Sequence, residues 1–289
     1  MPQSSELLRL PPEYRASGNF AVRREVSRIM RAGGLTTVCE EARCPNINEC
    51  FAHKTASFMI MGDRCTRRCH FCAVNTKKPL ALDPNEPSAV AKAALKMGLN
   101  YVVITSVDRD ELVDYGAAHF VQVVNEVKRQ IPHAKIELLT PDFHGEPALL
   151  DQVLASAVDV FGHNIETVER LYKKVRPQSN WATTTKVLSH IAKHGRVTAK
   201  TGMMVGLGED DHEVLDNLSM LYSLGVKIVT IGQYLRPSLK HWPVDRYVGP
   251  DSYHSFISFG RKLGLTVFAS AMMRSSYHAE EAHHRSIVG

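Results

Sequence analysis

The sequence predicts an α/β fold: a partial (β/α)6 TIM-type barrel with N-terminal and C-terminal extensions. Two observations carry that prediction. From Ser57 onward, short β-rich runs alternate with amphipathic helical segments in cycles of about 30 to 40 residues, the pattern of parallel strands joined by helical crossovers. After almost every run comes a polar cluster: Thr105-Ser106-Val107-Asp108-Arg109, Thr140-Pro141-Asp142, His163-Asn164-Ile165-Glu166, Gly206-Leu207-Gly208-Glu209 and Gln233-Tyr234. An open doubly wound sheet shares the alternation. Polar groups on that many strand ends converge only when the ends form a ring, as at the C-terminal face of a barrel.

The elements follow in order. A polar lead-in, residues 2–34, holds a helix over 19–30, where Phe20, Val22, Val26 and Ile29 make a partial apolar face. Six strands are expected at 57–61, 101–106, 135–140, 158–162, 197–205 and 228–231. Helices are expected between and after them at 88–96, 116–130, 146–156, 167–174, 181–194 and 211–224. A seventh helix is expected at 251–263, and 265–272 reads as a further strand or extended segment. Ser88 reads as an N-cap, and Gly98, Gly195 and Gly225 as helix stops. With no internal repeat, low-complexity tract or long linker, the expected division is an extension over 1–56, a barrel over 57–264 and a C-terminal extension over 265–289.

Composition narrows the class. At 289 residues, 44% hydrophobic and 22% charged, the chain can bury a full core without metal or disulfide staples. It has no apolar run long enough to span a bilayer, and residues 1–18 carry prolines and charges in place of a signal peptide's apolar centre. A cytoplasmic protein is expected, acting neither at a membrane nor on nucleic acid. The net charge of +5 is too mild for a dedicated nucleic-acid binder and suits an acidic partner better.

All six cysteines, Cys39, Cys44, Cys50, Cys65, Cys69 and Cys72, fall within residues 39–72. A disulfide framework belongs to small exported domains, and neither sign is present. Structural zinc commonly uses two Cys-x-x-Cys pairs, whereas these cysteines form two groups of three. A three-cysteine zinc loop with a distant fourth ligand stays open for the second triplet taken alone. That triplet, Cys65-Thr66-Arg67-Arg68-Cys69-His70-Phe71-Cys72, follows directly on the first expected strand and so stands at the top of the barrel. Three thiolates at C-x3-C-x2-C spacing can hold three irons of a cubane [4Fe-4S] cluster and leave the fourth open to chemistry.

This loop, with Phe71 before its last cysteine and a partial barrel behind it, resembles the radical S-adenosylmethionine (SAM) superfamily. The resemblance implies a [4Fe-4S] cluster on Cys65, Cys69 and Cys72, SAM chelated at the open iron, and reductive cleavage to a 5′-deoxyadenosyl radical. It implies SAM contacts from Phe71, from Thr105 and Ser106 where relatives have a Gly-Gly-Glu-like run, from Asn164 and Glu166 to ribose, and from Arg176 to the carboxylate. The stretch Gly202-Met203-Met204-Val205-Gly206-Leu207-Gly208-Glu209 resembles the superfamily's G-x-I-x-G-x-x-E, with Met204 in place of Ile. Gly202, Gly206 and Glu209 thereby join the expected cofactor set, with Gln233 and Tyr234. For each polar residue taken singly, a helix cap or a surface ion pair is the competing reading.

The first triplet has C-x4-C-x5-C spacing, with Pro45-Asn46 after Cys44, and Arg274-Ser275-Ser276-Tyr277 stands near the end of the chain. Together these are similar to the lipoyl synthase family over residues 20–280. The resemblance implies a second, auxiliary [4Fe-4S] cluster on Cys39, Cys44, Cys50 and Ser276, with Ser275 the lesser candidate. It implies insertion of two sulfur atoms from that cluster at C6 and C8 of an octanoyl chain on a carrier lysine, with two SAM per product. Expected partners are octanoylated lipoyl carrier proteins (glycine cleavage H protein, E2 lipoyl domains), an electron donor such as ferredoxin or flavodoxin, and an iron–sulfur cluster carrier; a monomer is expected. Arg64, Arg67, Arg68, Lys77 and Lys78 form a basic patch expected to meet an acidic carrier. Competing readings are a biotin-synthase-like or methylthiotransferase-like sulfur inserter, and a non-enzymatic two-site zinc protein. Two cubane clusters require about eight iron and matching sulfide per anaerobically reconstituted chain; iron, sulfide and zinc analysis checks this, and a zinc protein without sulfide contradicts it.

Overall fold

The computed structural model describes residues 20–41, 46–47, 57–277 and 279–288. Its centre is an eight-stranded sheet in which every strand lies beside the next in sequence. The leading pair is antiparallel: β1 (Thr36–Thr37) runs against β2 (Ser57–Ile60), with Thr36 opposite Met59. From β2 the sheet is parallel through β3 (Tyr101–Ser106), β4 (Lys135–Leu139), β5 (Val160–Gly162), β6 (Thr198–Val205), β7 (Ile228–Gln233) and β8 (Thr266–Ser270). The six strands expected from sequence are all there, and the segment at 265–272 supplies the seventh parallel strand. The short β1 was not expected; two threonines carry no periodic signal.

Strands β2, β5 and β7 are buried along their whole length, as parallel strands covered on both faces must be. The covering helices are α1 (Phe20–Ala32), α2 (Val38–Glu41), α3 (Glu86–Met97), α4 (Ala117–Gln130), α5 (Pro147–Leu154), α6 (Glu169–Val175), α7 (Trp181–Lys193), α8 (Asp211–Ser223) and α9 (Pro250–Leu263). In α4 the buried residues Phe120, Val123, Val124 and Val127 recur at helical spacing and form the sheet-facing stripe. Ser88 does not cap α3: the helix starts earlier, at Glu86, with Pro87 in its first turn, where a missing N–H costs nothing. Gly98 ends it in the left-handed conformation expected of a glycine stop.

Two apolar cores fill the space between strands and helices, one behind β2 to β5 and one behind β6 to β8. Near the N-terminal ends of the strands, Lys200 Nζ bonds Glu137 Oε1 at 2.7 Å, and the Tyr101 hydroxyl donates to Glu137 Oε2 at 2.7 Å. Lys200 and Glu137 side chains are each only 3% exposed, so the pair satisfies itself inside the protein.

The sheet is not closed: among the described residues β8 pairs with β7 and with no strand on its other side. Helix α10 (Ala279–Val288), not expected from sequence, packs on β7 and β8. Its His283 reaches the Tyr101 ring at the start of β3, 6.0 Å between centroids. The helix therefore bridges the open edge. No helix of the described residues is long and apolar enough to cross a membrane.

The chain end is seated directly on the sheet. A Cβ on Gly232, in β7, would stand 2.0 Å from the Met273 carbonyl oxygen, which is backbone and cannot swing away. Gly232→Ala is expected to lose about 1–3 kcal/mol, the usual cost of overpacking a tight contact, measured by chemical denaturation.

Candidate active site

The loop after β2 turns sharply through Met61 and Gly62, both at positive φ. Cys65 N donates to the Asn75 carbonyl (2.8 Å), closing the loop on itself, and Thr66 N donates to the Asp108 carbonyl (3.0 Å) beyond β3. His70 N donates to the Val175 carbonyl (2.9 Å) at the end of α6, so the loop is tied at both flanks. This holds Cys65, Cys69 and Cys72 on the wall of one cavity of about 720 Å3.

What braces the loop is Arg67, and here the structure corrects the sequence reading. Arg67 is not part of an exposed basic patch; it is 3% exposed and surrounded by carboxylates. Its guanidinium bonds both oxygens of Asp142 at 2.7 Å and Asp110 at 2.8 to 3.2 Å, and Asp108 Oδ1 lies 3.3 Å from its Nε. Arg68, Lys77 and Lys78 do stand exposed. The guanidinium holds the Asp110 and Asp142 carboxyls below their ordinary value of 3.8 despite burial. Asp108 goes the other way: its fuller burial outweighs the pull of Arg67 and Arg176, and its carboxyl is raised.

The cavity also receives Cys39, which is buried, and Ser275 and Ser276 from the chain end. Cys44 and Cys50 lie outside the described residues. Asn46, between them in sequence, donates from Nδ2 to the Met272 carbonyl at 2.6 Å, tying the N-terminal segment to the chain end. Ser275 Oγ pairs with the Asn164 amide, 3.0 Å from Nδ2 and 3.3 Å from Oδ1. A Cβ on Gly202 would come within 3 Å of Ser275 Oγ, Asn164 Oδ1 and Thr230 Oγ1, so this glycine makes room for that pairing.

Of the residues expected around the cofactor, Phe71, Thr105, Ser106, Asn164, Glu166, Arg176, Gln233 and Tyr234 all line the cavity. Gly202, Gly206 and Glu209 are not among the lining residues. Glu209 turns back to accept from Gly206 N (2.6 Å) and Leu207 N (3.0 Å), stapling the loop after β6. Gly206 adopts φ 93° and leaves no room for a side chain against Gln233 and the Arg246 carbonyl. The Gln233 amide is spent on the Arg246 and Tyr234 carbonyls and on Val248 N, and the Tyr234 hydroxyl on the Trp242 carbonyl. These two build the wall, with their polar atoms turned to the segment behind it.

Arg176 is the strongest candidate cofactor contact. It is buried, with Nη1 on the Tyr172 hydroxyl (2.6 Å) and the Asn164 carbonyl (3.3 Å), while its Nε has no hydrogen-bond partner. Ser106 Oγ is likewise buried without one. Glu166 holds φ 67°, strained for a non-glycine residue, and is locked there by Gly202 and Met204 of β6. Burial raises its carboxyl against the pull of Arg176 and Asn164. Buried polar atoms left waiting beside a cavity fit a zwitterionic ligand with ribose hydroxyls, as SAM is.

Burial pushes the Cys65 and Cys72 thiols up to about 12, and raises Cys69 against the opposing pull of Arg176. Burial thus disfavours free thiolates in this loop, whereas coordination to iron would deprotonate a thiol outright. Among the described residues no three His, Cys, Asp or Glu side chains are grouped to hold a single metal ion. A cubane cluster, in contrast, takes its thiolates on separate irons. Sequence reasoning missed the apolar lining, Met59, Val103, Leu139 and Val244. Inward strand positions and core positions look alike in a chain buried on both faces.

The fold and the thiol loop define a radical SAM enzyme. The Radical SAM superfamily profile matches residues 59–221. Among solved structures, the chain resembles a methylornithine synthase (13% identity, TM-score 0.55, covering 94% of this chain and 89% of that one). It also resembles Streptococcus suis SuiB bound to S-adenosylmethionine (11% identity, TM-score 0.59, 87% and 61%); at these identities the likeness concerns the fold. Among curated proteins it is 49% identical over 265 residues to the lipoyl synthase of Cupriavidus metallidurans, covering 91% of this chain and 80% of that one. It is 50% identical over 271 residues to that of Burkholderia mallei, covering 91% and 82%. The chain belongs to the lipoyl synthase family, the radical SAM sulfurtransferases that carry a [4Fe-4S] cluster and use SAM.

Arg67→Met is expected to leave buried carboxylates without their cation, at a cost of about 3–5 kcal/mol near neutral pH. Wild type should lose stability as pH falls below 3.8 through the lowered values of Asp110 and Asp142. In the variant those carboxyls sit above their ordinary value, so acidification favours its folded state and the gap narrows as pH falls towards 4. Urea denaturation across pH checks both signs.

Proposed function

We propose that this protein inserts two sulfur atoms, at C6 and C8, into an octanoyl chain amide-linked to a lysine of a lipoyl carrier domain, with two SAM consumed per product. The observation that carries the reading is the meeting of Cys39, the second-triplet thiols and Ser275-Ser276 on one cavity, although they lie far apart in sequence. Two C–H bonds are lost and two C–S bonds form, so the product gains two sulfurs for two hydrogens.

In this reading Cys65, Cys69 and Cys72 would hold the [4Fe-4S] cluster, which would supply one-electron reduction of SAM and so the radical chemistry that unactivated carbon requires. Arg176 meets the SAM carboxylate, Thr105 and Ser106 its amino end, Asn164 and Glu166 its ribose, and Phe71 packs beside it. Gly202, Gly206 and Glu209 act one step back, shaping the β6 turn, and Gln233 and Tyr234 form the wall. Met59, Val103, Leu139 and Val244 give the acyl chain an apolar passage. Met59 and Val103 are buried away from water, which also protects a carbon radical from competing reactions.

The sulfur donor is the auxiliary [4Fe-4S] cluster, a reactant that the protein holds until it is used. Cys39, Cys44, Cys50 and Ser276 would hold it. Asn164 engages the Ser275 hydroxyl, which favours Ser276 as the ligand. A serine ligand binds iron less firmly than thiolate, as suits a cluster that must come apart. The proposed division is therefore a donor platform from 1–56 and 265–289, built on a radical-generating barrel over 57–264. The carriers are octanoylated glycine cleavage H protein and E2 lipoyl domains; a ferredoxin or flavodoxin supplies electrons, and an iron–sulfur carrier rebuilds the donor.

Cys44→Ala is expected to keep SAM cleavage within a few-fold of wild type and to form no doubly thiolated product. Anaerobic incubation with an octanoyl-lysyl peptide, SAM and reductant, followed by mass measurement of the peptide, checks this. Lipoyl product from the variant overturns the donor assignment, and unchanged peptide mass with wild type overturns the reaction.

A further inference from the structure

The connection from β7 to α9, residues 234–249, forms a strap across the thiol loop. Trp242 N donates to the His70 carbonyl (2.8 Å), and His241 Nε2 donates to the Cys72 carbonyl (3.1 Å) while its Nδ1 accepts from the Ser238 hydroxyl (2.8 Å). The Trp242 ring stacks on His70 at an interplanar angle of 8°. Arg236 and Pro237 line the cavity, so the tip of the strap stands at its rim. The tip is braced from within: Arg236 donates to the carbonyls of Leu239 (2.6 Å) and His241 (2.9 Å). What this turn holds out to solvent is Leu239, 63% exposed, with Lys240 exposed beside it. No acidic residue occurs from Tyr234 to Val244, nor from Arg64 to Leu82 in the loop to which the strap is bonded.

We propose that the strap tip, Leu239 and Lys240, together with the exposed cations of the thiol loop, is the docking surface for an acidic carrier domain that presents the acyl-lysine. The proposal rests on the carrier-linked substrate of the preceding subsection. A leucine on a pre-formed turn loses little freedom on binding and gains from having its exposed apolar surface covered. The exposed cations Arg68, Lys77, Lys78 and Lys240, carried on stretches without an acidic residue, attract an acidic domain and repel a basic one, including a second copy of this chain at net charge +5. Because the strap is bonded to the thiol loop, a domain seated on it is held in register with the cavity. An acyl chain on its lysine then enters at a fixed distance from the thiols.

The test is the double variant Leu239→Asp with Lys240→Glu, loaded with its clusters and compared with wild type on two substrates. One is an octanoylated acidic carrier domain and the other a short octanoyl-lysyl peptide. The half-saturating carrier concentration is expected to rise about tenfold or more, the effect of losing one anchor, with the maximal rate unchanged. Peptide kinetics should not move, and the wild-type preference for carrier should weaken with added salt. An equal rise for both substrates, or no rise for the carrier, overturns the proposal. Should wild type convert neither substrate, the sulfur-insertion reading falls. The carrier-binding isotherm then decides the docking surface: binding weakened about tenfold by the variant supports it, and equal binding overturns it.

Discussion

A buried guanidinium decides where the thiols stand. Arg67 lies between Cys65 and Cys69 in sequence and is enclosed by Asp108 and Asp110 from the β3 end and Asp142 from the β4 end. A charge taken out of water must be matched nearby, and matching it with carboxylates on two strands ties the loop to the barrel frame. Thr66 adds a second tie: its hydroxyl donates to Asp110 and accepts from Asp110 N. The loop is thus placed by groups at the cavity wall, Arg67 and Asp108 among its lining, and those groups in turn depend on the parallel register of β3 and β4.

Around that anchored loop the cavity joins three distant parts of the chain. The thiols come from the first parallel strand's loop, the polar contacts from the ends of β3 and β5 and from Arg176 after α6, and Cys39 with the serine pair from the two chain ends. The polar side of the cavity keeps buried atoms of Ser106 and Arg176 without protein partners, while Met59, Val103 and Leu139 make an apolar side. That division of character suits a reaction between a charged cosubstrate and a fatty chain. Neither half alone distinguishes this protein from other barrels with a thiol loop.

Much of this was legible in the sequence, and the reasons differ by element. The strands announced themselves by apolar runs, and Thr105, Asn164 and Glu166 by their place just after those runs. Arg67 was misread because a charged residue among charged neighbours looks solvated, and its acidic partners lie 43 and 75 positions away. Glu209 and Gln233 look like ligand contacts in sequence, yet each satisfies backbone groups of a turn, a use no local pattern reveals. Ser88 was taken for a cap because propensity favours it there, but Pro87 preset the backbone for a helix one turn earlier. Helix α10 went unseen because its ten residues bury few apolar side chains, chiefly Ala279 and Ala282.

The unclosed edge of the sheet gives both termini a way in. Met273 rests on Gly232 and Asn46 reaches Met272, so the parts that approach the cavity from the seam are fastened to each other and to β7 through a few backbone contacts. None of those contacts belongs to the ladder between β2 and β8. A seam of that kind can be loosened and refastened while the strands keep their pairing, so on the proposed reading a spent inorganic charge could be replaced without dismantling the scaffold around it.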